Sequence, residues 1–595
     1  MCGIVGYIGN KEIDTTLVEN LKLLEYRGYD SAGVAVMGES GIMVTKTAGK
    51  IDQLKEILPH HKASCGIAHT RWATHGAPNT INAHPHTSQD KSWAIVHNGI
   101  IENFGELKSH IQSQGVQLVS ETDTEVIVQM LSLSKYKNIE ALIDVCRQLK
   151  GSFALVCMHQ DSPDTLYLAK QKSPLYLSVA NGEVYVASDT ICFAGRTKSY
   201  YALADGEFCS VSANGAIFYN QDGVEIVKEP IALTQFDQDV GKKDYPHFML
   251  KEIMETPKVL QDIHKVYTER GVLELFDAEF MSRFDKIYLI GCGTAYNASC
   301  LGAKWIEKYA RIPARSMIAS EFRYANPLVD NRTLCIFVSQ SGETADTLGA
   351  CELCKINGAY TLALTNVLYS ALAKMVDIVL PVCAGREIAV ASTKAYTAQI
   401  AILYMLARQL CNVVQNGDFN YLAQLKDLST RLIMPDQAKL LSLVQGLKGE
   451  DKVFFIGRDV DYLTCEESSL KLKEITYINS SAYPAGELKH GFLALIESGT
   501  YVFVIATQKT LLDKTLNGAH EAQARGAKLV LVTQLDISQE KLSNVHSVIQ
   551  LPNFDQEIMP IVSIGVFQLI SYMTSVERGL NPDQPRNLAK SVTVE

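Results

Sequence analysis

The sequence lacks long runs of like charge and long runs of apolar residues. Its 65 acidic and 55 basic residues are spread over all 595 positions, with a formal charge of −10, so we expect no nucleic-acid partner. The apolar stretch PIVSIGVFQLISYM is shorter than the roughly 20 residues that a bilayer span requires. The first twenty residues carry no basic lead and no small-residue cleavage site. We therefore expect no signal peptide and no membrane partner.

Cysteine is present, but it forms neither a disulfide framework nor a metal site. The 14 cysteines stand at irregular spacings, unlike the dense pattern of small secreted proteins, and this favours a cytoplasmic location. The Cys351–Cys354 pair has no second pair at zinc spacing, and the histidines around His84 and His86 match no zinc pattern. GCGTAYNA lacks the third glycine of a nicotinamide-binding turn. We expect no metal and no cofactor.

What the sequence does contain changes character along its length. Residues 2–218 consist mainly of short strand-like runs such as GIVGYIG and WAIVHNGII, which predict an α+β domain rich in antiparallel sheet. Residues 219–277 are charged and become helical, as expected of a linker. Beyond them strands and helices alternate, which is typical of parallel α/β units.

The α/β region contains an internal duplication. DKIYLIG recurs as DKVFFIG, TLCIFVSQS as TYVFVIATQ, and TLALTN as KLVLVT, each 166 or 167 residues later. Three matches in the same order predict two tandem α/β domains, at residues 278–418 and 446–585, followed by a polar tail at 586–595.

Polar turns follow two strands of the first copy. CIFVSQSGET places Ser339, Gln340, Ser341 and Thr344 between a buried strand and a helix, where hydroxyls and backbone amides can bind an anion. LIGCGTAYNASC supplies a second turn, with Thr294. Such groups can also simply cap helices. The second copy reads VIATQKTL and FIGRDVDY, without the Ser-Gln-Ser cluster or the Gly-x-Gly-Thr turn, and this favours a phosphosugar-type ligand in the first copy.

Candidate acid–base groups lie in the second copy and the tail. Glu467, Lys471 and Glu474 fall at i, i+4 and i+7 on one helical face, which alone would be an ordinary solvated ladder of ion pairs. His490 stands in a Gly- and Lys-rich turn, and Lys590 stands in the tail. Proton transfer between adjacent sugar carbons needs a carboxylate, and ring opening needs a titratable neighbour. The residue types alone leave both interpretations open.

Long motifs along the chain resemble those of known families. MCGIVGYIG, LEYRGYDSAG, HTRWATHG, HNGIIENF and SETDTE are similar to the class II, N-terminal nucleophile glutamine amidotransferases. GCGTAYNA, SQSGETADT, ASTKAYT, LKLKEI, AGELKHG and NLAKSVTVE resemble the paired sugar isomerase (SIS) domains of the isomerising glutamine–fructose-6-phosphate aminotransferases. The resemblance implies L-glutamine and fructose 6-phosphate as substrates and glucosamine 6-phosphate as product, in the first step of hexosamine biosynthesis.

In the amidotransferase domain, the resemblance assigns the nucleophile and its helpers. It implies that Met1 is removed and that the Cys2 thiol attacks the glutamine carboxamide with its own α-amine as base. Asn98 and the Gly99 amide would form the oxyanion hole. The residues implied to bind glutamine are Arg71, Thr74, His75 and Asp123. Trp72 is implied to gate an internal ammonia channel, although plain core packing is the other interpretation of this side chain.

In the SIS pair, the resemblance assigns the isomerisation chemistry. Lys590 would form an imine with C2 of the opened ketose, Glu474 would move the proton between C1 and C2, and His490 would assist ring opening from the neighbouring subunit of a homodimer. Lys471 belongs to the same catalytic set. The residues implied to hold the phosphate and sugar hydroxyls are Thr294, Ser339, Gln340, Ser341, Thr344, Val390, Ser392 and Glu467.

The chain departs from the family pattern in a few places. Ala295 stands where such turns usually carry serine, so an amidotransferase or isomerase acting on another phosphosugar remains an alternative. Phe492 stands where proline is usual. The segment before Asp285 lacks the long insertion of the feedback-regulated eukaryotic forms, which favours a bacterial-type enzyme. A sugar-phosphate sensor with a decayed amidotransferase is a third possibility, and the intact Cys2 and Lys590 argue against it.

Overall fold

The computed structural model describes residues 2–73, 76–233, 241–543 and 545–593. The chain forms two compact units: unit 1 comprises Met1–Gly241 with Ala589–Glu595, and unit 2 comprises Lys242–Leu588. The C-terminal tail therefore groups with the amino-terminal part of the chain.

The described part of unit 1 contains two antiparallel sheets and flanking helices. Its strands are β1 (Gly3–Ile8), β2 (Ser31–Gly38), β3 (Gly41–Ala48), β4 (Cys65–Arg71), β5 (His86–Thr87), β6 (Trp93–Ile101), β7 (Gly151–His159), β8 (Thr165–Gln171), β9 (Tyr176–Ala180), β10 (Glu183–Ala187), β11 (Ser199–Ala202), β12 (Glu207–Ser212), β13 (Gly215–Tyr219), β14 (Glu225–Ile226) and β15 (Ile231–Ala232). Its helices are α1 (Ile13–Leu24), α2 (Ile51–Ile57), α3 (Phe104–Ser113), α4 (Asp123–Leu133) and α5 (Asn138–Cys146). The sheet orders are β15-β11-β9-β10-β1-β4-β2-β3 and β14-β13-β12-β8-β7-β6-β5.

Alternation along the strands builds the layers of unit 1. On β6, Val96 packs into the core between the two sheets, whereas its neighbour Ile95 packs against helices α4 and α5. Successive strand residues point to opposite faces, so one apolar strand serves both cores. The predicted α+β domain with antiparallel sheet is confirmed.

Unit 2 contains two parallel five-stranded sheets. Its first part comprises α6 (Phe248–Met254), α7 (Thr256–Arg270), α8 (Ala278–Met281), β16 (Lys286–Gly291), α9 (Thr294–Trp305), β17 (Ala314–Ile318), α10 (Ala319–Phe322), β18 (Thr333–Ser339), α11 (Ala345–Ile356), β19 (Tyr360–Thr365), α12 (Ala371–Met375), β20 (Ile378–Pro381) and α13 (Lys394–Val414). Its second part comprises α14 (Tyr421–Arg431), α15 (Leu441–Leu447), β21 (Lys452–Gly457), α16 (Val460–Thr476), β22 (Asn479–Pro484), β23 (Tyr501–Ile505), α17 (Leu512–Gln523), β24 (Lys528–Thr533), α18 (Gln539–Leu542), β25 (Ser547–Gln550) and α19 (Met559–Glu577).

The two sheets of unit 2 repeat one topology. Their strand orders are β17-β16-β18-β19-β20 and β22-β21-β23-β24-β25, so each element of the first sheet has a counterpart in the second. This confirms the predicted duplication into two α/β domains. Both faces of each sheet are covered by helices, as expected of parallel sheets: Leu289 faces one core and Ile290 the other.

Two long apolar helices of unit 2 show that the length of an apolar stretch in the sequence was not a sufficient argument against a membrane span. The apolar stretch that was too short for a bilayer span lies within a 22-residue helical segment, Gln556–Glu577, and this segment and α13 are long and apolar enough to cross a membrane. Their most apolar windows are 100% and 67% buried within the protein. A helix that is apolar on all sides belongs in a large core, and here it packs against α16.

The segment expected to be a linker, residues 219–277, carries defined structure. β14 pairs with β13, and β15 pairs with β11, so both extend the sheets of unit 1. Further along, α6 and α7 contribute Met249, Leu260 and Ile263 to the core of unit 2.

Candidate active sites

Strand pairing in unit 1 places the Cys2 thiol beside the end of β4. Gly3 pairs with Thr70, so Cys2 lies next to the residues that follow. The Trp72 backbone N–H donates a hydrogen bond to the Cys2 Sγ at 3.2 Å. Burial raises the pKa of the Cys2 thiol, and that hydrogen bond and the nearby Arg71 guanidinium oppose the rise. The thiol is therefore held protonated unless a base is supplied next to it.

Asn98 and Gly99, on β6, face the same cavity as Cys2. The Asn98 Nδ2 donates to the Cys2 carbonyl at 2.9 Å. Gly99 has φ +141°, and a Cβ there would lie 2.0 Å from the Ser152 carbonyl oxygen, so only glycine fits. The cavity is open to solvent, has a volume of about 570 Å³ including its mouth, and is also lined by Trp72, Ser173, Pro174, Ala589, Ser591, Val592 and Thr593. The donors expected of an oxyanion hole thus lie next to the nucleophile.

A buried histidine orients the Asn98 amide, a role that could not be inferred from the sequence. The His69 Nε2 lies 3.0 Å from the His97 carbonyl oxygen and 3.0 Å from the Asn98 Oδ1. A carbonyl oxygen only accepts, so Nε2 carries the proton and the Asn98 atom facing it is the oxygen. Burial lowers the pKa of His69 to about 3. This neutral ring therefore leaves the Asn98 Nδ2 directed toward Cys2.

The other histidines of this region form a buried stack. His69 and His84 lie 4.2 Å apart with rings inclined by 19°, and His84 meets His86 edge-on at 4.8 Å. The His86 Nε2 is 3.0 Å from the Thr122 hydroxyl. In the part of the chain that the structure describes, no group of three or more His, Cys, Asp or Glu residues could hold a metal ion.

The residues expected to bind glutamine are described in part. Arg71 is 4% exposed, and its guanidinium donates weakly to the Gly76 carbonyl at 3.4 Å. Asp123 begins α4 and accepts the Ile101 backbone N–H at 2.8 Å. Thr74 and His75 lie outside the described residues. The channel-gate candidate, Trp72, packs edge-on against Tyr29 at 5.6 Å.

In unit 2, helices α9 and α16 bring a buried polar cluster together. The Lys471 Nζ lies 2.6 Å from the Glu474 Oε2, 3.4 Å from the Glu467 Oε1 and 2.8 Å from the Thr294 hydroxyl. The side chains of Lys471 and Glu467 are 1% and 0% exposed. The interpretation of these residues as a solvated ladder is therefore wrong, because the face they share is covered by α9.

The charges of this cluster are strongly perturbed. Burial raises the pKa of Glu467 to about 7, although the Lys471 ammonium opposes the rise. Burial also acts to lower the pKa of Lys471, but the two carboxylates outweigh it and raise the pKa to about 12. Asn297, which the sequence did not single out, donates to the Glu467 Oε2 at 2.8 Å. Glu474, with a side chain 21% exposed, is the carboxylate best placed to meet a substrate.

The predicted anion turn lies at the end of β18. Ser339 is the last residue of that strand and accepts the Gly342 N–H at 3.0 Å, and Ser341 accepts the Glu343 N–H at 3.2 Å. Thr344 is the N-cap residue of α11, yet within the described chain its side chain makes no capping hydrogen bond. Its hydroxyl is thus not explained by helix capping, and this favours the ligand interpretation over the structural one.

A buried glutamate organises the loop that carries Val390 and Ser392. Glu387, 4% exposed, accepts the Ser392 hydroxyl at 2.8 Å and the Thr393 N–H at 2.8 Å. The Val390 N–H donates to the Asp583 carbonyl at 3.0 Å. Glu387 is a positioning residue that the sequence did not reveal, because burial of an acid cannot be read from its neighbours alone.

Of the other predicted catalytic residues, His490 lies in unit 2 and Lys590 in unit 1. His490 ends a short 3₁₀ turn (Leu488–His490), is exposed, and its N–H donates to the Glu487 carbonyl at 2.9 Å. Among the described residues, its ring makes no hydrogen bond or ion pair with Glu467 or Glu474. Lys590 lies in the tail and groups with unit 1. In this chain, His490 is therefore not part of the polar cluster around Lys471.

Comparisons with known proteins agree with this division of the chain. A model described as a glutamine amidotransferase domain matches residues 69–194, and a model described as a SIS domain matches twice, at residues 280–408 and 446–578. The C-terminal domain of glucosamine-fructose-6-phosphate aminotransferase from Francisella tularensis is 33% identical, covers 58% of this chain and 100% of its own, and has a TM-score of 0.53.

Full-length relatives share both regions. A glutamine–fructose-6-phosphate aminotransferase (isomerizing) from Clostridium tetani is 42% identical over 616 residues, with 100% of both chains covered. Proteins of the same name from Thermococcus kodakarensis and Bacillus cereus are 41% and 42% identical, also with 100% of both chains covered.

Proposed function

This chain belongs to the family of isomerising glutamine–fructose-6-phosphate aminotransferases, and we propose how its residues perform the reaction of that family. The enzyme transfers the amide nitrogen of glutamine to fructose 6-phosphate and isomerises the product to glucosamine 6-phosphate, releasing glutamate. The observation that carries this function is the presence, in one chain that matches its relatives end to end, of a thiol beside oxyanion donors and a buried Lys–Glu cluster on a SIS domain.

Glutamine hydrolysis begins at Cys2. Once Met1 is removed, the α-amine of Cys2 takes the proton of its own thiol, a role that suits an α-amine because such groups ordinarily titrate near neutral pH. The thiolate attacks the carboxamide, and the Asn98 Nδ2 and the Gly99 N–H stabilise the oxyanion. Ammonia leaves, and water cleaves the thioester to give glutamate. The location of all three groups on one cavity supports these roles.

Glutamine recognition uses charges of both signs. Arg71 pairs with the substrate α-carboxylate, for which a guanidinium fork is the fitting partner. Asp123 holds the α-ammonium, and Thr74 and His75 line the same site. Ammonia then passes to the isomerase site through an internal channel that Trp72 gates. The cavity next to Trp72, with its partly apolar lining of Pro174, Ala589 and Val592, suits a neutral ammonia molecule.

Isomerisation takes place on the SIS pair. Thr294, Ser339, Gln340, Ser341, Thr344, Val390 and Ser392 hold the phosphate and hydroxyls. The Lys590 amine forms an imine with C2 of the opened ketose and water leaves; ammonia then adds to C2 and displaces the lysine amine, which leaves the imine of fructose 6-phosphate. Glu474 takes a proton from C1 and returns it to C2, which leaves an aldehyde at C1 and the amino group at C2. Lys471, 2.6 Å from the Glu474 Oε2, holds that carboxylate in position. The Glu467 carboxylate holds Lys471 and Thr294 in place.

Ring opening requires His490 from a second copy of the chain, so the enzyme acts as a homodimer in the cytoplasm. The exposure of His490 and its separation from the buried cluster support this role. Two inactive variants, His490→Ala and Glu474→Gln, would be co-expressed so that half of the dimers contain one chain of each. If His490 acts across the interface, each mixed dimer has one intact site, which restores roughly a quarter of wild-type activity. If it acts within its own chain, both sites stay defective and no activity returns.

The function is tested most simply by removing the thiol. Cys2→Ala should abolish synthesis of glucosamine 6-phosphate from glutamine and spare the isomerisation of phosphosugar. Cys411→Ala, a partly exposed cysteine on α13, is the matched control and should keep both activities. Synthesis from glutamine by the Cys2→Ala enzyme would contradict the thiol mechanism.

Another phosphosugar is the second candidate substrate. Ala295 is the observation that favours it, because the hydroxyl that usually contacts the sugar at this position is absent. Turnover on a panel of ketose and aldose 6-phosphates distinguishes the two, since a preference for a sugar other than fructose 6-phosphate would replace the first assignment.

A further inference from the structure

We propose that the second SIS copy retains the anion cradle of the first and that the carboxylate of Asp461 permanently occupies it. The inference rests on the proposed phosphosugar site in the first copy. It concerns the turns that follow β16 and β18 in the first copy and the turns that follow β21 and β23 in the second. In the second copy, the chain supplies its own anion in place of a phosphate.

The turn after the first strand has the same backbone in both copies. Gly293 has φ 54° and ψ −126° before α9, and Asp459 has φ 56° and ψ −126° before α16. The second copy has Asp459 and Val460 in place of Gly293 and Thr294, so the sequence of the turn is lost while its backbone is kept. The aspartate takes up a conformation that side chains rarely adopt. A retained but strained turn indicates that the geometry itself still serves a purpose.

The equivalence extends to the next helical residues. A Cβ on Gly291 would lie 2.9 Å from the Ala295 carbonyl carbon, and a Cβ on Gly457 would lie 2.7 Å from the Asp461 carbonyl carbon. Each strand thus crosses the first turn of its helix at the same point. Ala295 and Asp461 hold equivalent positions.

The pairing register of the strands shows that the turns after β18 and β23 are equivalent. Ile290 pairs with Phe337 in the first sheet, and Ile456 pairs with Val504 in the second. Three residues further along come Gln340 and Thr507. The backbone amides of Thr507 and Gln508 therefore stand where the first copy has Gln340 and Ser341, the centre of the proposed phosphate loop.

Asp461 fills the space between these two turns. The residue is 2% exposed. The Asp461 Oδ2 accepts the Thr507 N–H at 2.8 Å, and the Oδ1 accepts the Thr507 hydroxyl. The backbone amide of Gln508 is also close enough to the carboxylate to favour its charged form. Successive backbone amides and a hydroxyl are the donors that a phosphate receives in such a loop, so the carboxylate has the partners of a bound anion.

The side chain at this one position then decides how many sugars a chain can bind. Asp461 closes the second cradle, whereas Ala295, with a single methyl group, leaves the first one open. Each chain accordingly binds one phosphosugar, and the usual serine at position 295 can be replaced by alanine without blocking the phosphate.

Reciprocal substitutions in the full-length enzyme test this inference. Ala295→Asp places a carboxylate in the first cradle, as Asp461 does in the second. We expect the binding of fructose 6-phosphate, measured by calorimetry, to weaken by roughly a hundredfold or more. Ala295→Asn, of the same size without the charge, should weaken it much less. Glutamine hydrolysis at Cys2 without sugar should stay unchanged in both, which shows that the protein is folded.

The converse variant opens the second cradle. Asp461→Ala should raise the number of inorganic phosphate ions bound per chain from one to two, and Asp461→Asn, which keeps the cradle filled, should leave it at one. Wild-type affinity in Ala295→Asp, or no second phosphate in a folded Asp461→Ala protein, would overturn the inference. If Asp461→Ala does not fold, Ala295→Asp decides alone. A wild-type enzyme that binds no fructose 6-phosphate would instead contradict the proposed function.

Discussion

Replacing Lys471 by methionine should destabilise unit 2, and the loss should depend on pH. Methionine keeps most of the volume of the lysine stem but removes the ammonium between Glu467 and Glu474. The Glu467 carboxylate is fully buried and lies 3.4 Å from that ammonium. At an effective dielectric of about 20, such a pair attracts by roughly 5 kcal/mol. Breaking a buried pair by removing one partner costs at most about 3 to 5 kcal/mol, because the remaining carboxylate must either stay buried as a charge or take up a proton.

The pH dependence follows from the raised pKa of Glu467. In the wild type this pKa is about 7, and the loss of Lys471 raises it further. Above pH 7, the folded variant therefore keeps a proton on Glu467 that the folded wild type has released, while both unfolded chains are ionised there. The variant should lose roughly 1 to 2 kcal/mol of unfolding free energy relative to the wild type for each pH unit above 7. Between pH 5 and pH 7 the difference should stay constant.

Urea unfolding of the full chain between pH 5.5 and pH 8.5, followed by circular dichroism, measures these differences. Lys473→Met, an exposed lysine on the same helix, is the matched control and should shift stability by less than about 0.5 kcal/mol. The double variant Lys471→Met with Glu467→Gln should recover part of the loss and show no growth above pH 7. A loss in Lys471→Met that does not change between pH 7 and pH 8.5 would refute the reasoning.

Three further predictions concern the glutamine site. His69→Phe should lower kcat for glutamine hydrolysis by roughly a hundredfold with little change in KM, because the Asn98 amide is no longer held in its orientation; His69→Gln, which can still donate, should recover most of the rate. Gly99→Ala should destabilise unit 1 by more than about 2 kcal/mol and abolish hydrolysis, because its Cβ would lie 2.0 Å from the Ser152 carbonyl oxygen. Thermal unfolding and glutamate release measure the two effects, and an alanine variant with wild-type stability and activity would contradict the described path of β6. Asp123→Asn should raise KM for glutamine by about tenfold or more while kcat changes less, since the substrate α-ammonium loses its counter-charge; an unchanged KM would remove Asp123 from the site.

The sequence predicted the fold well where local patterns decide it. Alternating apolar residues in WAIVHNGII and the repeated DKIYLIG and DKVFFIG strands were sufficient, because strand period and order are local properties. Whether the last long helix crosses a membrane was harder to judge from the sequence. The length and composition of α19 do not show that other helices of the same unit bury it. The linker boundary was also hard to place, since β14 and β15 are two-residue strands that exist only through pairing with distant partners.

In the candidate sites, too, local motifs were predictable from the sequence and tertiary contacts were not. Motif resemblance located Cys2 and Asn98, and the structure places them on one cavity. It could not show that Lys471 is buried, because burial there depends on α9, which lies more than 160 residues away in sequence. The roles of His69 and Asp461 also depend on contacts between separate strands and turns. Such roles become visible only when tertiary distances are known.

The central claim is that one chain moves the amide nitrogen of glutamine onto fructose 6-phosphate. The enzyme would be incubated with glutamine labelled with ¹⁵N at the amide, fructose 6-phosphate and an excess of unlabelled ammonium, and the amino sugar would be examined by mass spectrometry. We predict that glucosamine 6-phosphate carries ¹⁵N in nearly every molecule, in equal amount to the glutamate released, and that Cys2→Ala forms none of it. Glutamate released without labelled amino sugar, or amino sugar carrying the unlabelled nitrogen, would contradict the account.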